Sequence, residues 1–440
     1  MIITSDHPQF VAWLRGVAPY IHAFRGKTFV IGIAGELVAA GKLNALVQDL
    51  SLLHAMGMRI VLVHGFRPQV EEQLRLRGVA SRFVNGVRVT DAISLECAKE
   101  AAGELRLDIE GAFSQGLANT AMAHSQVRVV SGNLIAARPV GIVDGVDFMH
   151  TGLVRKIDTN IIKFALNTGV IVLLSPLGYS ATGDAFNLIM EDVAAQTAIA
   201  LDADKLIYVT ETNGVADIAG KLLTEISEAK ANEILKGDHI PSDVRMYLKH
   251  ALKACEGGVA RAHILPFSLD GSVLLELFLH DGVGSMVVEE TLEALREATL
   301  DDVGGIINLI TPLEEDGTLV KRDRSLIERE IENYTVIEHD GIIFGCAVLS
   351  TFGDEKMGEM ACLAVNKQVQ SQGDGERILR RIEQRAKAIG LDKIFVLTTR
   401  TAHWFLKRGF KVADIDALPA VRRASYNAQR KSQVLIKQLN

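Results

Sequence analysis

The string CLAVNKQVQSQGDGERIL, residues 362–379, closes an apolar run and then sets Gln370, Gly373 and Gly375 ahead of a helix-forming stretch. Glycines at such a junction let backbone N–H groups crowd a ligand, and a helix start adds unpaired donors and a positive dipole end. That chemistry suits a ligand carrying a diphosphate. Four cysteines, Cys97, Cys255, Cys346 and Cys362, are scattered with no Cys-x-x-Cys pair and no histidines at metal-ligand spacing. They read as core thiols, and no metal site is expected. Cys362 adjoins the glycine string, yet no motif sets a histidine to activate it as a nucleophile.

A loop of this kind needs a strand before it and a helix after it. The reading supplies a strand over Glu359–Val365 and a helix from about Gly373 to Ile389, then a strand Lys393–Thr398, a helix His403–Lys407 and a last strand near Gln433–Leu439. Upstream, Thr335–Glu338 and Ile342–Leu349 flank His339-Asp340-Gly341, a hairpin signal because Asp and Gly tolerate positive φ. Glu289 to Arg296 is charged and helix-prone, residues 295–299 read as a strand, and Asp301–Asp302 as a helix start with carboxylates against its dipole. This tail is α+β. The first two thirds of the chain differ. Short apolar runs at 28–33, 59–63, 127–131, 170–174 and 205–209 alternate with helical patterns, such as Leu43, Leu46, Val47, Leu50 and Leu53. Such alternation predicts a mostly parallel, helix-covered sheet.

With 440 residues, two domains are expected. Hydrophobic residues make up 48% and charged residues 23%, which fits folded protein throughout. A net charge of −7 provides no basic field for nucleic-acid phosphates. No run approaches the roughly 18 apolar residues of a spanning helix, so no membrane is expected and the protein reads as cytoplasmic.

Taken with the strand and helix around it, the glycine string resembles the acetyl-CoA signature of the GCN5-related acetyltransferases, and Trp404-Phe405 with Gly409-Phe410 resembles the segment that closes the far side of their CoA site. Over nearly the whole chain the sequence is similar to bacterial-type N-acetylglutamate synthases, through PYIHAFRGKTFVI, VNGVRVTD, LLELFLHDGVGS, PLEEDGTLVKRDRSLIE, GEMACLAV, KIFVLTTRTAHWFLKRGF and YNAQRKSQVLIKQL. The resemblance implies an α/β fold: an amino-acid-kinase-like, mostly parallel sheet sandwich over 1–286, with residues 1–26 an oligomerising helix, a linker over 287–294, and an acetyltransferase domain over 295–440. It also implies transfer of acetyl from acetyl-CoA to L-glutamate, the first step of arginine biosynthesis.

Glutamate carries two carboxylates and an amine, so its site needs two cationic ends and a base. By resemblance, Glu359 is the general base, and Thr398 stands near the thioester as a donor to the departing thiolate. Cys362, Leu363, Val365, Gln370, Gly373, Gly375 and Glu376 are implied for acetyl-CoA. Arg322, with backbone near Cys362, is implied for the α-carboxylate, and Arg422, Arg430 and Ser432 for the side-chain carboxylate. Arg324 and Arg423 could exchange roles with their neighbours. Transfer would be direct, the amine attacking the thioester with backbone N–H near Cys362 and Leu363 steadying the oxyanion.

The front domain resembles acetylglutamate kinase but departs where phosphoryl transfer would occur. VIGIAG puts Gly32 where those kinases carry a lysine and Ala34 where a glycine is expected, and the second glycine-rich turn has become His64-Gly65-Phe66-Arg67. Glu191 stands where they use an aspartate. Phosphoryl transfer needs fixed cations and close backbone approach, so ATP is not expected as a cofactor. The resemblance assigns Tyr20, Lys205, His263, Glu276, Gly282 and Gly284 to an L-arginine site, implying feedback inhibition, and it implies a homohexamer. Two other readings compete: a bifunctional synthase and kinase, and a non-catalytic arginine-binding regulator.

Overall fold

The structure is a computed structural model that describes residues 7–84, 86–116, 120, 122–124, 127–237, 240–279, 282–288, 294–339, 342–366 and 373–439. The chain forms two compact units, Met1–Thr291 and Leu292–Asn440.

The front unit begins with helix α1 (His7–Phe24) and is built on an eight-stranded sheet. Its strands are β1 (Thr28–Ile33), β2 (Arg59–His64), β3 (Val129–Ser131), β4 (Ile171–Leu174), β5 (Lys205–Thr210), β6 (Glu225–Ser227), β7 (Arg261–Pro266) and β8 (Ser285–Val288). They run in the order β6-β8-β7-β5-β1-β2-β4-β3, parallel at every pairing except β7 with β8. Helices cover both faces, which is why β1 reads as a continuous apolar run. Phe29, Ile31 and Ile33 point into a core shared with α2 (Leu43–Ala55), while Val30 points into the opposite core beside α3 (Met190–Leu201). A second, four-stranded sheet joins 185–187, 177–179, 135–139 and 152–157. Two residues of the expected linker, Val287 and Val288, belong to β8 and pair with Ala262 and Arg261. Their burial against the sheet outweighs the change of composition that suggested a boundary at 286.

The rear unit is a seven-stranded sheet: β9 (Ala294–Glu297), β10 (Tyr334–His339), β11 (Ile342–Phe352), β12 (Met357–Val365), β13 (Lys393–Thr398), β14 (Lys411–Ala413) and β15 (Gln433–Gln438), in the order β9-β10-β11-β12-β13-β15-β14. The helix propensity of 289–296 is overridden from residue 294 onward, because Ala294–Glu297 pair antiparallel with Thr335–Glu338. Residues 289–293 of the expected linker, and Asp340–Gly341 of the expected turn, lie outside the described residues. The strands that the turn would join do pair antiparallel. Helix α5 (Val303–Glu315) buries Val303, Ile306 and Ile310 against Val336 and Val348. Helix α6 (Asp374–Ala388) lies so close to β11 that a Cβ on Gly345 would come within 2.7 Å of Ile378.

Candidate functional site

The sheet of the rear unit opens at its centre. β12 and β13 pair in parallel only at Met357 with Lys393, Gly358 with Ile394 and Glu359 with Phe395. Beyond that point β12 stays with β11 and β13 with β15, so the two central strands part. Between them lies a cleft of about 470 Å³, lined by Met360–Leu363 and Val365 on one wall and Val396–Thr401 on the other, with Gly373, Gly375, Trp404 and Arg408 at one end. Polar backbone on the parted strands is left without a sheet partner and faces that cleft.

A bulge re-aims the β12 wall. Cys346 pairs with Ala364 but Val348 with Ala361, so Cys362 and Leu363 together oppose Ala347. Cys362 takes φ of 53°, a left-handed conformation rare for a residue with a side chain. Its thiol is buried, and its pKa is lowered by a hydrogen bond with Cys346 and, against the cost of burial, by the nearby Arg322 cation. Cys346 is pushed up by the same contact and by full burial.

Gly373, at φ of 93°, caps α6. Glu376 N–H already donates to Gly373 O at 2.9 Å, and Arg377 N–H to the same oxygen at 3.1 Å. The backbone bonds of the helix thus begin with the N–H of Glu376. The Glu376 carboxylate is braced by Arg380 at 2.6 Å and Arg408 at 3.2 Å. Gln370 lies outside the described residues. Sequence reasoning missed Arg408, whose guanidinium sits 3.9 Å over the Trp404 ring and lines the cleft. Its spacing of four from Trp404, on α7 (Ala402–Leu406) and the turn after it, was the available signal.

Glu359 stands at the apex where the strands separate and is 7% exposed. Its carboxylate accepts from Arg422 Nε at 2.6 Å and Nη2 at 3.1 Å, a bidentate ion pair. Arg422 belongs to the short helix α8 (Ala420–Ala424). Thr398 ends β13, three residues or about 10 Å of strand beyond the level of Glu359. Its Oγ1 accepts from Thr401 N–H at 3.0 Å and lies 2.9 Å from Thr401 Oγ1.

The other arginines fall around the same end of the sheet. Arg322 is largely buried, with Nη1 3.4 Å from the Tyr334 hydroxyl and 3.6 Å from Glu330. Burial disfavours its charge, but Tyr334, Cys362 and Glu330 more than offset that and hold its pKa raised. Arg430 donates to the carbonyls of Gly317 and Thr318 at 3.1 and 3.2 Å, and Thr318 lines the cleft. The Ser432 carbonyl accepts from Tyr426. Arg324 and Arg423 pair instead with Glu328 and Asp416 at the surface.

In the front unit a second group assembles. Glu276, on α4 (Ser272–Phe278), receives His263 Nδ1 at 2.7 Å, Val283 N–H at 2.6 Å and Gly284 N–H at 3.2 Å. Burial opposes the Glu276 charge, but these donors outweigh it and its pKa is lowered. Burial also holds His263 down, with its Nε2 buried and unpartnered. Gly282 takes φ of 59°, and a Cβ there would meet Glu276 at 2.6 Å. Tyr20 packs edge-on against Phe278, and Lys205 lies 5.0 Å over the Phe24 ring.

A pocket of this unit sits at the expected phosphoryl-transfer position and is lined by Glu36, Arg67, Arg88, Glu191, Glu211 and Asp243 among others. Arg67, 3.3 Å from Asp243, and Arg88 stand there against four carboxylates, Glu36, Glu191, Glu211 and Asp243. Gly32 abuts Tyr208 and Met190 so tightly that even a Cβ would come within 2.9 Å of the ring, leaving no room for a lysine.

A sheet split beside a glycine-capped helix, following a mostly parallel αβ unit in the chain, defines a two-domain acetyltransferase. Residues 27–266 match the amino acid kinase family and residues 330–412 the acetyltransferase (GNAT) domain. An amino-acid acetyltransferase of Ralstonia nicotianae is 64% identical over 99% of this chain and 97% of its own length. One of Pseudomonas fluorescens is 47% identical over 98% and 100%. The chain belongs to the amino-acid acetyltransferases. It also resembles the crystal structure of N-acetylglutamate synthase from Neisseria gonorrhoeae complexed with coenzyme A and L-arginine, at 40% identity and TM-score 0.88, covering 98% of this chain and 99% of that one. A second structure of that enzyme, with coenzyme A and N-acetyl-glutamate, matches with TM-score 0.63 over the same shares.

Proposed function

We propose that this enzyme moves the acetyl group of acetyl-CoA to the amine of L-glutamate, opening arginine biosynthesis, and that L-arginine inhibits it from the front unit. The observation that carries the reading is the parting of β12 and β13 at Glu359, which leaves a slot for a thioester with a carboxylate at its apex. The diphosphate of CoA lies at the glycine-bearing start of α6, beside Gly373 and Gly375. Arg322 takes the α-carboxylate, and Arg422, Arg430 and Ser432 the distal one. Glu359 accepts the ammonium proton, directly or through water. The freed amine attacks the thioester carbon, backbone N–H at the Cys362 bulge stabilises the oxyanion, and the C–S bond breaks as the second proton of the nitrogen passes through the Thr398 hydroxyl to the departing sulfur. Cys362 need not be acylated.

Arginine control is supported by the assembled Tyr20, Lys205, His263, Glu276, Gly282 and Gly284 group, where the Glu276 carboxylate suits a guanidinium. The filled space at Gly32 and the acidic pocket around Arg67 favour a kinase-inactive front unit that uses no ATP. We read the front unit, through the end of β8 at Val288, as the regulatory domain, the protein as cytoplasmic and the assembly as a homohexamer. No helix among the described residues is long and apolar enough to cross a membrane.

A thiol-release assay tests the reading. Acetyl-CoA with L-glutamate should release CoA thiol without ATP, and L-arginine should slow it; Glu276→Ala should blunt that inhibition while transfer continues. Failure to bind CoA, or acetylation of other amines with glutamate ignored, would overturn the assignment.

A further inference from the structure

Glu359 and Arg422 lie 63 positions apart in the chain, yet each satisfies the other. Nε and Nη2 of Arg422 hold both carboxylate oxygens, and the remaining nitrogen, Nη1, faces Ser425 O at 3.4 Å and Oγ at 3.3 Å. The Glu359 side chain is 10% exposed and that of Arg422 is 24%. A bidentate guanidinium fork fixes the plane of a carboxylate as well as its position. Glu359 is thereby turned toward Arg422, and the two acceptor sites that the fork leaves open lie in the plane it fixes, so aiming an oxygen at an amine outside that plane requires the fork to let go.

The anchoring of Arg422 is slight by comparison. Helix α8 is five residues long with none of them buried; Arg423 N–H to Pro419 O at 2.8 Å and Ser425 Oγ to Arg422 O at 3.1 Å are local bonds, and those reaching further are Ala420 N–H to Glu355 at 3.1 Å and Arg423 to an exposed Asp416 at 3.4 Å. A second carboxylate arriving in the cleft carries the same group that Arg422 already holds, so the two compete for one fork.

We propose that Arg422 is a latch on Glu359 that the acceptor's own distal carboxylate opens. This rests on the reading of Glu359 as the base. With no acceptor bound, the base is held away from the reaction. A dicarboxylic amino acid places its distal carboxylate on the fork and frees Glu359 to turn toward the ammonium group. An amino acid without that carboxylate leaves the latch shut, so selectivity is exerted in turnover as well as in binding. Arg422 is then both a ligand of the acceptor and a positioning residue for the base.

The test divides glutamate into its halves. In the wild-type chain, turnover of L-alanine at saturating acetyl-CoA should rise several-fold when acetate is added and stay flat with chloride at equal ionic strength. In Arg422→Gln, L-alanine turnover should rise about tenfold without acetate and lose its response to acetate, while the glutamate KM increases. Retained CoA binding shows that the variant is folded; should it not fold, the acetate arm on wild type decides alone. If Arg422 were only a ligand, L-alanine turnover would be unchanged in the variant, and if it merely propped Glu359 in place, turnover would fall; either result overturns the latch. Glu359→Gln separates the two readings. When it abolishes glutamate turnover but Arg422→Gln brings no gain with alanine, the base stands and the latch fails. When the alanine gain survives in the double variant, the base assignment itself is wrong.

Discussion

At the scale of single residues, the site depends on charges placed where burial makes them costly. Arg322 is the clearest case. Its guanidinium is partly desolvated, its nearest carboxylate is 3.6 Å away on Glu330, and it acts on the Cys362 thiol at the bulge. A cation held so far from full neutralisation gains most from an incoming carboxylate. Arg322→Ala should therefore raise the glutamate KM roughly a hundredfold while leaving CoA affinity within about twofold, because the α6 start is untouched. Steady-state kinetics and calorimetry would measure the two effects, and an unchanged glutamate KM and turnover would exclude Arg322 from the acceptor site. The sequence marks Arg322, Glu359 and Arg422 as chemical residues through the strings around them. It does not reveal that Glu359 and Arg422 hold each other, since their contact exists only after β12 and α8 have been brought together.

At the scale of elements, patterning sufficed wherever one strand or helix explained itself. Lys393–Thr398 occupies the residues expected of it, because its apolar side chains are buried between neighbours on both sides. Pairing was harder to read. The parting of β12 from β13 and the bulge at Cys362 arise from register between strands, which no local window encodes. The strand read at 295–299 is present as Ala294–Glu297, an edge strand whose start one residue earlier is set by pairing with β10 and not by the helix-prone residues before it. The glycines before α6 divide in the same way. Gly373 needs its left-handed φ and has open space around it, whereas Gly375 has ordinary geometry but a Cβ there would lie 3.2 Å from the Trp404 ring. Gly373→Ala should thus cost about 1 kcal/mol of backbone strain with a modest effect on CoA. Gly375→Leu should displace Trp404 and with it Arg408 and Glu376, weakening CoA binding about tenfold in a protein of near-normal stability. Calorimetric titration with CoA, beside thermal melts of both variants, would distinguish them; equal losses of affinity would mean that the Trp404–Arg408 stack does not shape the cleft.

At the scale of the whole molecule, the chain joins an acetyltransferase domain to a mostly parallel αβ unit of the amino acid kinase family, and stability of that front unit is tied to protons its core excludes. His64 ends β2. It is fully buried, with Nδ1–H donating to Gly65 O at 3.3 Å and Nε2 accepting from Ser175 Oγ at 2.7 Å. Burial holds its pKa down to about 4, and His250 is likewise lowered to about 4 by burial, in spite of Asp192. An unfolded histidine titrates near 6.5, so between about 6.5 and 4 the unfolded chain binds protons that the folded unit refuses. The stability each histidine carries is complete above the upper value and drains away as pH falls through the window, by at most about 1.4 kcal/mol per pH unit per group. Asp49 works in the opposite direction, since burial and Asp270 raise it to about 6 and the folded unit takes up its proton first. A single wild-type melt therefore mixes both signs, and the informative quantity is a difference. In His64→Gln the loss of stability of the front unit between pH 6.5 and 4.5 should be shallower than in wild type by one such group, with Asp49 and His250 contributing equally to both proteins. Urea unfolding followed across that range would give the two slopes, and parallel slopes would show that His64 is already free to protonate in the folded chain.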